Sequence, residues 1–250
     1  MNGHQYLENI INKYSVNLYN AEYLRMFFKP FINNWANGNL VDLTLSGSIS
    51  KGTAVSNGTD VDLFISLSSS TKDSLSDIYN SLFVAMQKNG FYVRKQNVSI
   101  GINYSNYQID LVPAKRQDQY GNDHSLYLNK KGSWTKTNIN KHIYEVKNSG
   151  RVNEIKLIKI WRNIYHLDFP SFYLEMLVID ALKNHRINDL PNNFISVLRY
   201  ISNNIEVNSY IDPANTNNCI SDQISMQTKK QIASQATDSL SKKIWEDIIL

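Results

Sequence analysis

Three aspartates and one Gly-Ser turn are the residues of this chain whose types and spacing could do chemistry. Asp60 and Asp62 form an Asp-x-Asp pair in an apolar stretch, and Asp110 lies within the apolar residues 109–112. Because side chains alternate along a strand, the first two carboxylates would share one face, about 7 Å apart. Carboxylates this close repel one another unless cations lie between them, and Mg²⁺ combines a few carboxylates with water and phosphate oxygens. The pattern therefore predicts that Asp60, Asp62 and Asp110 bind Mg²⁺ together with a phosphorylated substrate.

The Gly-Ser turn, Gly47-Ser48, follows a predicted strand and precedes the Asp-x-Asp pair. Glycine lets the backbone approach a phosphate closely, and a hydroxyl and exposed amides can donate hydrogen bonds to its oxygens. The common glycine-rich phosphate-binding patterns, G-x-x-x-x-G-K-[ST] and G-x-G-x-x-G, are absent from the sequence. Gly47 and Ser48 are predicted to bind the phosphates.

The first half of the chain has the patterns of an α/β unit with a mixed sheet. Apolar residues at helical spacing predict one or two helices over residues 6–35, with a turn near Pro30. A second helix is predicted over residues 70–88, closed by Asn89-Gly90. Alternating or β-branched runs predict strands over residues 40–45, 60–67, 91–93, 98–102 and 108–112.

The second half is predicted to be helical, over residues 152–164, 171–183, 194–203 and from about residue 221. We therefore expect N-terminal helices over residues 1–35, a catalytic α/β lobe over residues 36–150 and a helical lobe over residues 151–250. The active site is expected in the cleft between the two lobes.

Composition limits the location and the partners of the protein. Hydrophobic residues make up 42% of the 250 residues, enough for a substantial core, and no apolar run approaches the ~20 residues of a membrane span. The N-terminus lacks the layout of a signal peptide, and the single Cys219 excludes an internal disulfide. These features predict a cytoplasmic protein without a membrane partner. The net charge of +4 suits phosphate ligands but is too small to indicate tight binding to long nucleic acid.

Together, Gly47-Ser48, Gly52-Thr53 and Asp60-Val61-Asp62-Leu63 resemble the signature of the DNA polymerase β-like nucleotidyltransferase superfamily. The resemblance is closest to the branch of the 2′-5′-oligoadenylate synthetases, the cyclic GMP-AMP synthase-like bacterial enzymes (CD-NTases) and the class I CCA-adding enzymes. It implies a polymerase β-like fold and transfer of a nucleotide from an NTP or dNTP with release of pyrophosphate.

Motifs in the second half resemble the same branch. Residues 155–162, IKLIKIWR, are similar to a helix whose lysine contacts the triphosphate, which implies this role for Lys159. Residues 169–175, FPSFYLE, are similar to the next helix, whose serine reaches the phosphates, which implies that role for Ser171. Glu175 within this segment has apolar neighbours and is expected to be a structural anchor. Residues 210–218 resemble a late "DP…NN" loop, with a threonine where proline is frequent.

The resemblance also implies different roles for the three aspartates in metal binding. Asp60 and Asp62 would bind two Mg²⁺ ions, for which Mn²⁺ could substitute. Asp110 would hold the ion that activates the attacking hydroxyl and would help as its base. The phosphate-binding residues implied by the turn and by the resemblance are Gly47, Ser48, Lys159 and Ser171.

The acceptor of the nucleotide stays open at the level of sequence. One hypothesis is synthesis of a short linear or cyclic signalling oligonucleotide in antiviral or antiphage defence, read by a downstream effector protein. The late loop and the helix at residues 169–175 favour it. A second is addition of nucleotides to an RNA 3′ end, as by CCA-adding enzymes, although the chain ends about thirty residues past the late loop, without their RNA-binding domains. Transfer onto a protein and an inactive binding module are further alternatives; the presence of all three acids disfavours the module. The preferred base, the sugar, the linkage and the oligomeric state are not predicted.

Overall fold

The computed structural model describes residues 2–58 and 60–250. In chain order, the helices are α1 (Gly3–Lys13), α2 (Leu18–Ala36), α3 (Gly47–Lys51), α4 (Leu75–Lys88), α5 (Ile139–Asn148), α6 (Val152–Ile164), α7 (Ser171–Ala181), α8 (Leu190–Asn204) and α9 (Met226–Leu240). The strands are β1 (Leu40–Leu45), β2 (Val61–Leu67), β3 (Val93–Lys95), β4 (Ile100–Tyr104), β5 (Tyr107–Arg116), β6 (His124–Leu128), β7 (Ser133–Thr137), β8 (Ile211–Asp212) and β9 (Asn215–Cys219). Of the helices described, none combines the length and the apolar character that crossing a membrane requires.

The described residues form two compact units that are discontinuous in sequence. The sheet unit contains residues 17–51 and 60–142, and the helical unit contains residues 2–16, 52–58 and 143–250. The three ranges predicted from sequence are consecutive, whereas each of these units combines segments that are far apart in sequence. A short chain segment that follows the Gly-Ser turn, residues 52–58, belongs to the helical unit.

The sheet of the first unit is mixed, as the sequence predicts. Its strand order is β1-β2-β5-β4-β3, and β6 and β7 extend it from the end of β5. Strands β2 and β5 are parallel, whereas the other pairs are antiparallel. The predicted α/β fold class is confirmed, and the parallel pair at its centre carries two of the three candidate aspartates.

One face of this sheet supplies the core. Helices α2 and α4 pack against the strands, and alternate residues of the two parallel strands are completely buried: Leu63, Ile65, Ile109 and Leu111. Burial of such side chains contributes about 1.5–3 kcal/mol each. Because the side chains of a strand alternate, the residues between them point to the opposite face. Burial on one face therefore fixes which residues the other face presents.

The N-terminal helices differ from the prediction in one respect. The chain turns at residues 14–17, where Asn17 caps α2 by accepting a hydrogen bond from Tyr19 N at 3.0 Å. Pro30 lies inside α2, which continues to Ala36. A proline removes one backbone donor from the ladder without ending a helix whose apolar face is buried, and Leu24, Phe28 and Ile32 of α2 are buried. The turn predicted near Pro30 was wrong.

The helical unit has its own core, formed mainly by α1, α6, α7, α8 and α9. Trp161 of α6 is completely buried, and its indole N–H donates to Ser239 Oγ of α9 at 2.9 Å. The C-terminal residues close the unit, because the Tyr6 hydroxyl donates to the Ile249 carbonyl at 2.8 Å. Helix α6, which carries Lys159, is thus packed within the core of the unit.

Candidate active site

Asp62 and Asp110 lie directly opposite each other on the parallel strands β2 and β5. Their Cα atoms are register partners, so both side chains leave the sheet on the same face. Their strand neighbours Leu63 and Leu111 are completely buried on the other face. The structure thus brings together two carboxylates that are 48 positions apart in sequence, and it does so through the pairing of two buried strands.

The missing side chain of Gly47 leaves room for the carboxylate of Asp62. A β-carbon at position 47 would lie 1.8 Å from Oδ2 and 2.6 Å from Cγ of Asp62, and the φ angle of Gly47 is +58°. The amide of Ser46 donates to the carbonyl oxygen of Asp62 at 2.9 Å. Only glycine leaves room for the carboxylate at this turn while adopting a left-handed conformation without strain. The Gly-Ser turn and the carboxylate therefore form one local structure, and the phosphate-binding roles of Gly47 and half-buried Ser48 stay predictions.

Asp110 is oriented by hydrogen bonds from the turn that joins β3 to β4. Gln96 Nε2 donates to Asp110 Oδ1 at 3.0 Å, and the hydroxyl of Ser99 lies 3.3 Å from Asp110 Oδ2. The register partner of Asp110 on β4 is Gly101, where a β-carbon would lie 2.6 Å from Arg94 Nε and 2.8 Å from Gln96 Nε2. Both long side chains cross β4 at the position that has no side chain of its own.

The electrostatic environment disfavours ionisation of the carboxyl groups. Burial is the main cause that raises the pKa of Asp110 above its ordinary value, and the charge of Asp60 raises it further. Hydrogen bonds from Ser99 and Gln96 and the charge of Arg94 oppose the shift. Burial likewise raises the pKa of Asp60, again opposed by Arg94. A cation bound at these oxygens would relieve the crowding of negative charge, and hard carboxylate oxygens are the ligands that Mg²⁺ prefers.

This donor chemistry fits Mg²⁺, but the oxygens do not form a closed set of ligands. Among residues 2–58 and 60–250, no three His, Cys, Asp or Glu side chains lie close enough together to hold a metal ion. Asp60 precedes β2 and is exposed as a residue although its carboxyl group is partly desolvated, whereas Asp62 and Asp110 are partly buried within their strands. The roles of Asp60, Asp62 and Asp110 as metal ligands stay predictions.

Lys159 is completely enclosed within the helical unit. It is 2% exposed, and its ammonium donates to Glu175 Oε1 at 2.6 Å and to Thr53 Oγ1 at 2.9 Å. The Thr53 hydroxyl in turn donates to Glu175 Oε1 at 2.9 Å. The structural role predicted for Glu175 is confirmed by this ion pair. The contact of Lys159 with a triphosphate stays a prediction, and in this structure the carboxylate of Glu175 neutralises its charge.

Ser171 is the first residue of α7 and is exposed. Its hydroxyl accepts a hydrogen bond from Arg162 Nη1 at 2.9 Å, and the same nitrogen lies 3.0 Å from the carbonyl oxygen of Phe169. Burial lowers the pKa of Arg162 below its ordinary value. The structure therefore adds a guanidinium to the surroundings of Ser171, while the predicted phosphate contact of Ser171 stays untested.

The late loop is a hairpin formed by β8 and β9. Asp212 is 5% exposed; its carboxylate accepts hydrogen bonds from Ala214 N at 2.8 Å and from Asn218 Nδ2 at 3.1 Å. These bonds fix the turn that the Asp-Pro sequence predicts.

Sequence reasoning missed the residues that support Asp110. Ser99 lies in the predicted strand over residues 98–102, and Gln96 lies between two predicted strands. Neither residue matches a motif, and their role depends on the pairing of β4 with β5. Gly101 gave the one signal available, because a glycine inside a predicted strand indicates a close approach by another group. Arg162 ends the quoted α6 motif but was given no role.

The fold resembles solved nucleotidyltransferase structures. The CD-NTase CdnG of Bradyrhizobium diazoefficiens, in complex with GTP, has a TM-score of 0.76 and 13% identity over 94% of this chain and 89% of that chain. CdnC of E. coli, in a complex with HORMA-deltaN, has a TM-score of 0.73 and 19% identity over the same shares. A cytoplasmic RNA terminal U-transferase has a TM-score of 0.62 and 12% identity over 97% and 95% of the two chains.

These likenesses establish the fold. The sequence matches no protein-family model and no curated protein. The solved structures include CD-NTases, which belong to the branch that the motifs of the sequence resemble, so the predicted fold resemblance is confirmed. Because a terminal U-transferase shares the fold, the fold alone does not distinguish a signal synthase from an enzyme acting on RNA ends.

Proposed function

We propose that this protein is a metal-dependent nucleotidyltransferase that joins NTPs or dNTPs into a short linear or cyclic signalling oligonucleotide. The observation that carries the proposal is the register of Asp62 with Asp110 on two parallel strands, beside a glycine turn shaped around Asp62. Supporting it is the likeness of the fold to CD-NTases solved with nucleotides.

In this proposal Asp60, Asp62 and Asp110 hold Mg²⁺. Mg²⁺ held there would supply activation of the attacking hydroxyl and neutralisation of charge on the departing pyrophosphate. The protein supplies the position of the oxygens: β2 and β5 fix two carboxylates on one face, and Gly47 leaves space for one of them. Positioning and charge stabilisation carry most of the catalysis in such reactions.

Asp110 has a second role in the proposal, as the acceptor of the proton from the attacking hydroxyl. A carboxylate within hydrogen-bond reach of that hydroxyl can act as its general base. Gln96 occupies Oδ1 of Asp110, and Oδ2, which the Ser99 hydroxyl approaches at 3.3 Å, is the atom proposed to take the proton.

A signalling oligonucleotide is favoured as the product by the likeness of the fold to CdnE of Elizabethkingia meningoseptica, a cyclic dinucleotide synthase. CdnC is solved in complex with HORMA-deltaN, so a protein partner is part of the proposal for this chain. A role in antiphage defence and a cytoplasmic location belong to the same proposal.

Addition of nucleotides to an RNA 3′ end is the second candidate function. The likeness to the terminal U-transferase favours it, because that match covers nearly the whole of both chains.

The test is incubation of the purified protein with each α-labelled NTP and dNTP and Mg²⁺ or Mn²⁺, with and without RNA. The double variant Asp60→Asn/Asp62→Asn removes two carboxylates, and Asp42→Asn is its matched control, because Asp42 is an exposed carboxylate on the neighbouring strand β1. We expect products from the wild type and the control without RNA, and none from the double variant.

The other outcomes separate the candidates. Label that appears only on RNA supports end addition, and label on a protein supports a protein-modifying enzyme. If the wild type makes no product with any nucleotide and does not bind Mg²⁺-nucleotide by calorimetry, the proposed activity is wrong.

A further inference from the structure

The side-chain amide of Gln96 lies between Ser99 and the candidate catalytic carboxylate of Asp110. Its nitrogen donates to Asp110 Oδ1 at 3.0 Å, and its oxygen accepts a hydrogen bond from the Ser99 hydroxyl at 2.5 Å. An ionised carboxylate only accepts hydrogen bonds, so the end of the amide that faces Asp110 Oδ1 is the nitrogen and the oxygen faces the Ser99 hydroxyl. The network therefore has one consistent orientation, in which Gln96 presents a donor to Asp110.

The turn that carries Gln96 is anchored to the core of the sheet unit. Tyr79 of α4 is completely buried, and its hydroxyl lies 2.7 Å from the carbonyl oxygen of Gln96 and 3.1 Å from that of Ser99. The backbone amide of Gln96 donates to the Ser99 carbonyl at 3.0 Å. The hydroxyl of Tyr79 thus holds the backbone of both residues that contact Asp110.

Gly101 provides the route by which Gln96 reaches Asp110. It is the β4 partner of Asp110, and its β-carbon would fall 2.8 Å from Gln96 Nε2. Its φ angle is not positive, so the backbone does not require glycine here. The reason for glycine at position 101 is the space that the side chains of Gln96 and Arg94 occupy.

We infer that Gln96 is a positioning residue that holds the Asp110 carboxylate for metal binding and for attack, with Ser99, Tyr79 and Gly101 as its supports. This inference rests on the proposed nucleotidyltransferase function and names a residue outside every motif of the sequence. Arg94 has a different role, because its guanidinium donates to Gln108 Oε1 at 2.8 Å.

Two variants test the inference in the full-length protein. Gln96→Met keeps the length of the side chain and removes the donor. Gly101→Ala keeps the amide of Gln96 but pushes it away from its present position beside Asp110. Gln117→Met is the matched control, because the side chain of Gln117 in the same unit donates a hydrogen bond to Ser125 Oγ at 3.2 Å and has none to Asp60, Asp62 or Asp110. The readouts are kcat and KM for the NTP, Mn²⁺ affinity by electron paramagnetic resonance without nucleotide, and thermal stability.

We expect both test variants to lower kcat about 10–100-fold and to weaken Mn²⁺ binding, since loss of a residue that orients a metal ligand has effects of this size. KM for the NTP should stay within about twofold, because Gln96 orients a ligand and does not hold the nucleotide. Gly101→Ala should keep or raise the thermal stability, since alanine loses less backbone freedom on folding. Gln117→Met should match the wild type in all readouts.

The inference fails if Gln96→Met and Gly101→Ala keep wild-type kcat and Mn²⁺ affinity while the wild type is active. It also fails if kcat falls only in proportion to a loss of folded protein. If Gln96→Met does not fold, Gly101→Ala is compared with Arg94→Met, because the added β-carbon would also lie 2.6 Å from Arg94 Nε. The inference then fails if Arg94→Met alone reproduces the effect of Gly101→Ala. The proposed function itself is wrong if the wild type has no activity and binds Mn²⁺ no better than Asp62→Asn does. That result differs from failure of the Gln96 inference, in which the wild type is active.

Discussion

Two regions of this molecule balance charge in different ways, the acidic face that carries Asp60, Asp62 and Asp110 and the surroundings of Lys159 in the helical unit. At Lys159 a carboxylate at 2.6 Å balances the ammonium, and both side chains are almost completely buried. At the acidic face, burial and like charge raise the pKa of Asp110. Charge balanced by the protein is a structural feature, whereas crowded like charge indicates a site that a ligand completes.

The comparison predicts opposite effects of removing one charge in each region. At the acidic face, Asp62→Asn or Asp110→Asn should reduce nucleotidyl transfer by on the order of 10³-fold, because the metal and its charge stabilisation are lost. The free energy of unfolding should stay equal or increase, since repulsion between carboxylates is relieved. Initial rates and urea denaturation of the same samples measure both effects. Retained activity in both variants would show that the chemistry occurs elsewhere.

In the helical unit, Glu175→Leu should destabilise the protein by about 3–5 kcal/mol, because it removes the carboxylate that balances the charge of the buried Lys159 ammonium. The double variant Lys159→Met/Glu175→Leu should recover most of this loss, since an apolar pair can replace a buried ion pair. Urea denaturation measures both free energies.

The double variant also tests the predicted phosphate contact of Lys159. If the folded double variant has a raised KM for the NTP, Lys159 contributes to nucleotide binding. An unchanged KM would restrict Lys159 to a structural role.

Gly47→Ala should displace the carboxylate of Asp62 and lower nucleotidyl transfer without removing any charge. The β-carbon would overlap Asp62 Oδ2 at 1.8 Å, and the positive φ angle adds a strain of about 1–2 kcal/mol. Gly38→Ala is the matched control, because Gly38 also has a positive φ, +81°, with no atom within 4 Å of the added carbon. We expect similar stability losses in the two variants and at least about tenfold lower activity in Gly47→Ala only. Equal activities would mean that Asp62 tolerates displacement.

The raised pKa of Asp110 also predicts a smaller effect, on how the stability of the protein depends on pH. The folded-state pKa of Asp110 is raised, so the folded protein binds the proton more tightly than the unfolded chain. Stability from this group is therefore fully present below the unfolded pKa and is lost as the pH rises through the folded pKa. Asp110→Asn should gain stability over the wild type near pH 7, and the gain should vanish on acidification below the ordinary carboxyl range. Thermal denaturation from pH 3 to 8 checks this; a gain that is independent of pH would contradict it.

Much of the fold was predictable because burial leaves a strong pattern in sequence. The bounds of β1 and α6 coincide with the predicted ranges, since both have apolar residues at the spacing of their element. Strands β6 and β7 and helix α5 were not predicted; their segments are polar, and only Leu126, His124, Thr137 and Val146 within them are buried. Their place in the fold depends on partners rather than on local pattern.

The candidate site was predictable only in part. The three aspartates and Gly47 stand in local motifs, so their identity could be inferred. The enclosure of Lys159 by Glu175 and Thr53 joins residues over 100 positions apart, and no sequence spacing encodes it. Likewise, the contact of Gln96 with Asp110 depends on how β4 pairs with β5. Such contacts follow from tertiary packing and require coordinates.

Diffraction from crystals grown with Mn²⁺ and a non-hydrolysable NTP would show directly whether the acidic face holds the catalytic metal. We expect anomalous peaks coordinated by Asp60, Asp62 and Asp110, with the triphosphate bound to the same ions. Anomalous density at another place, or a nucleotide bound away from these three carboxylates, would mean that the metal site lies elsewhere.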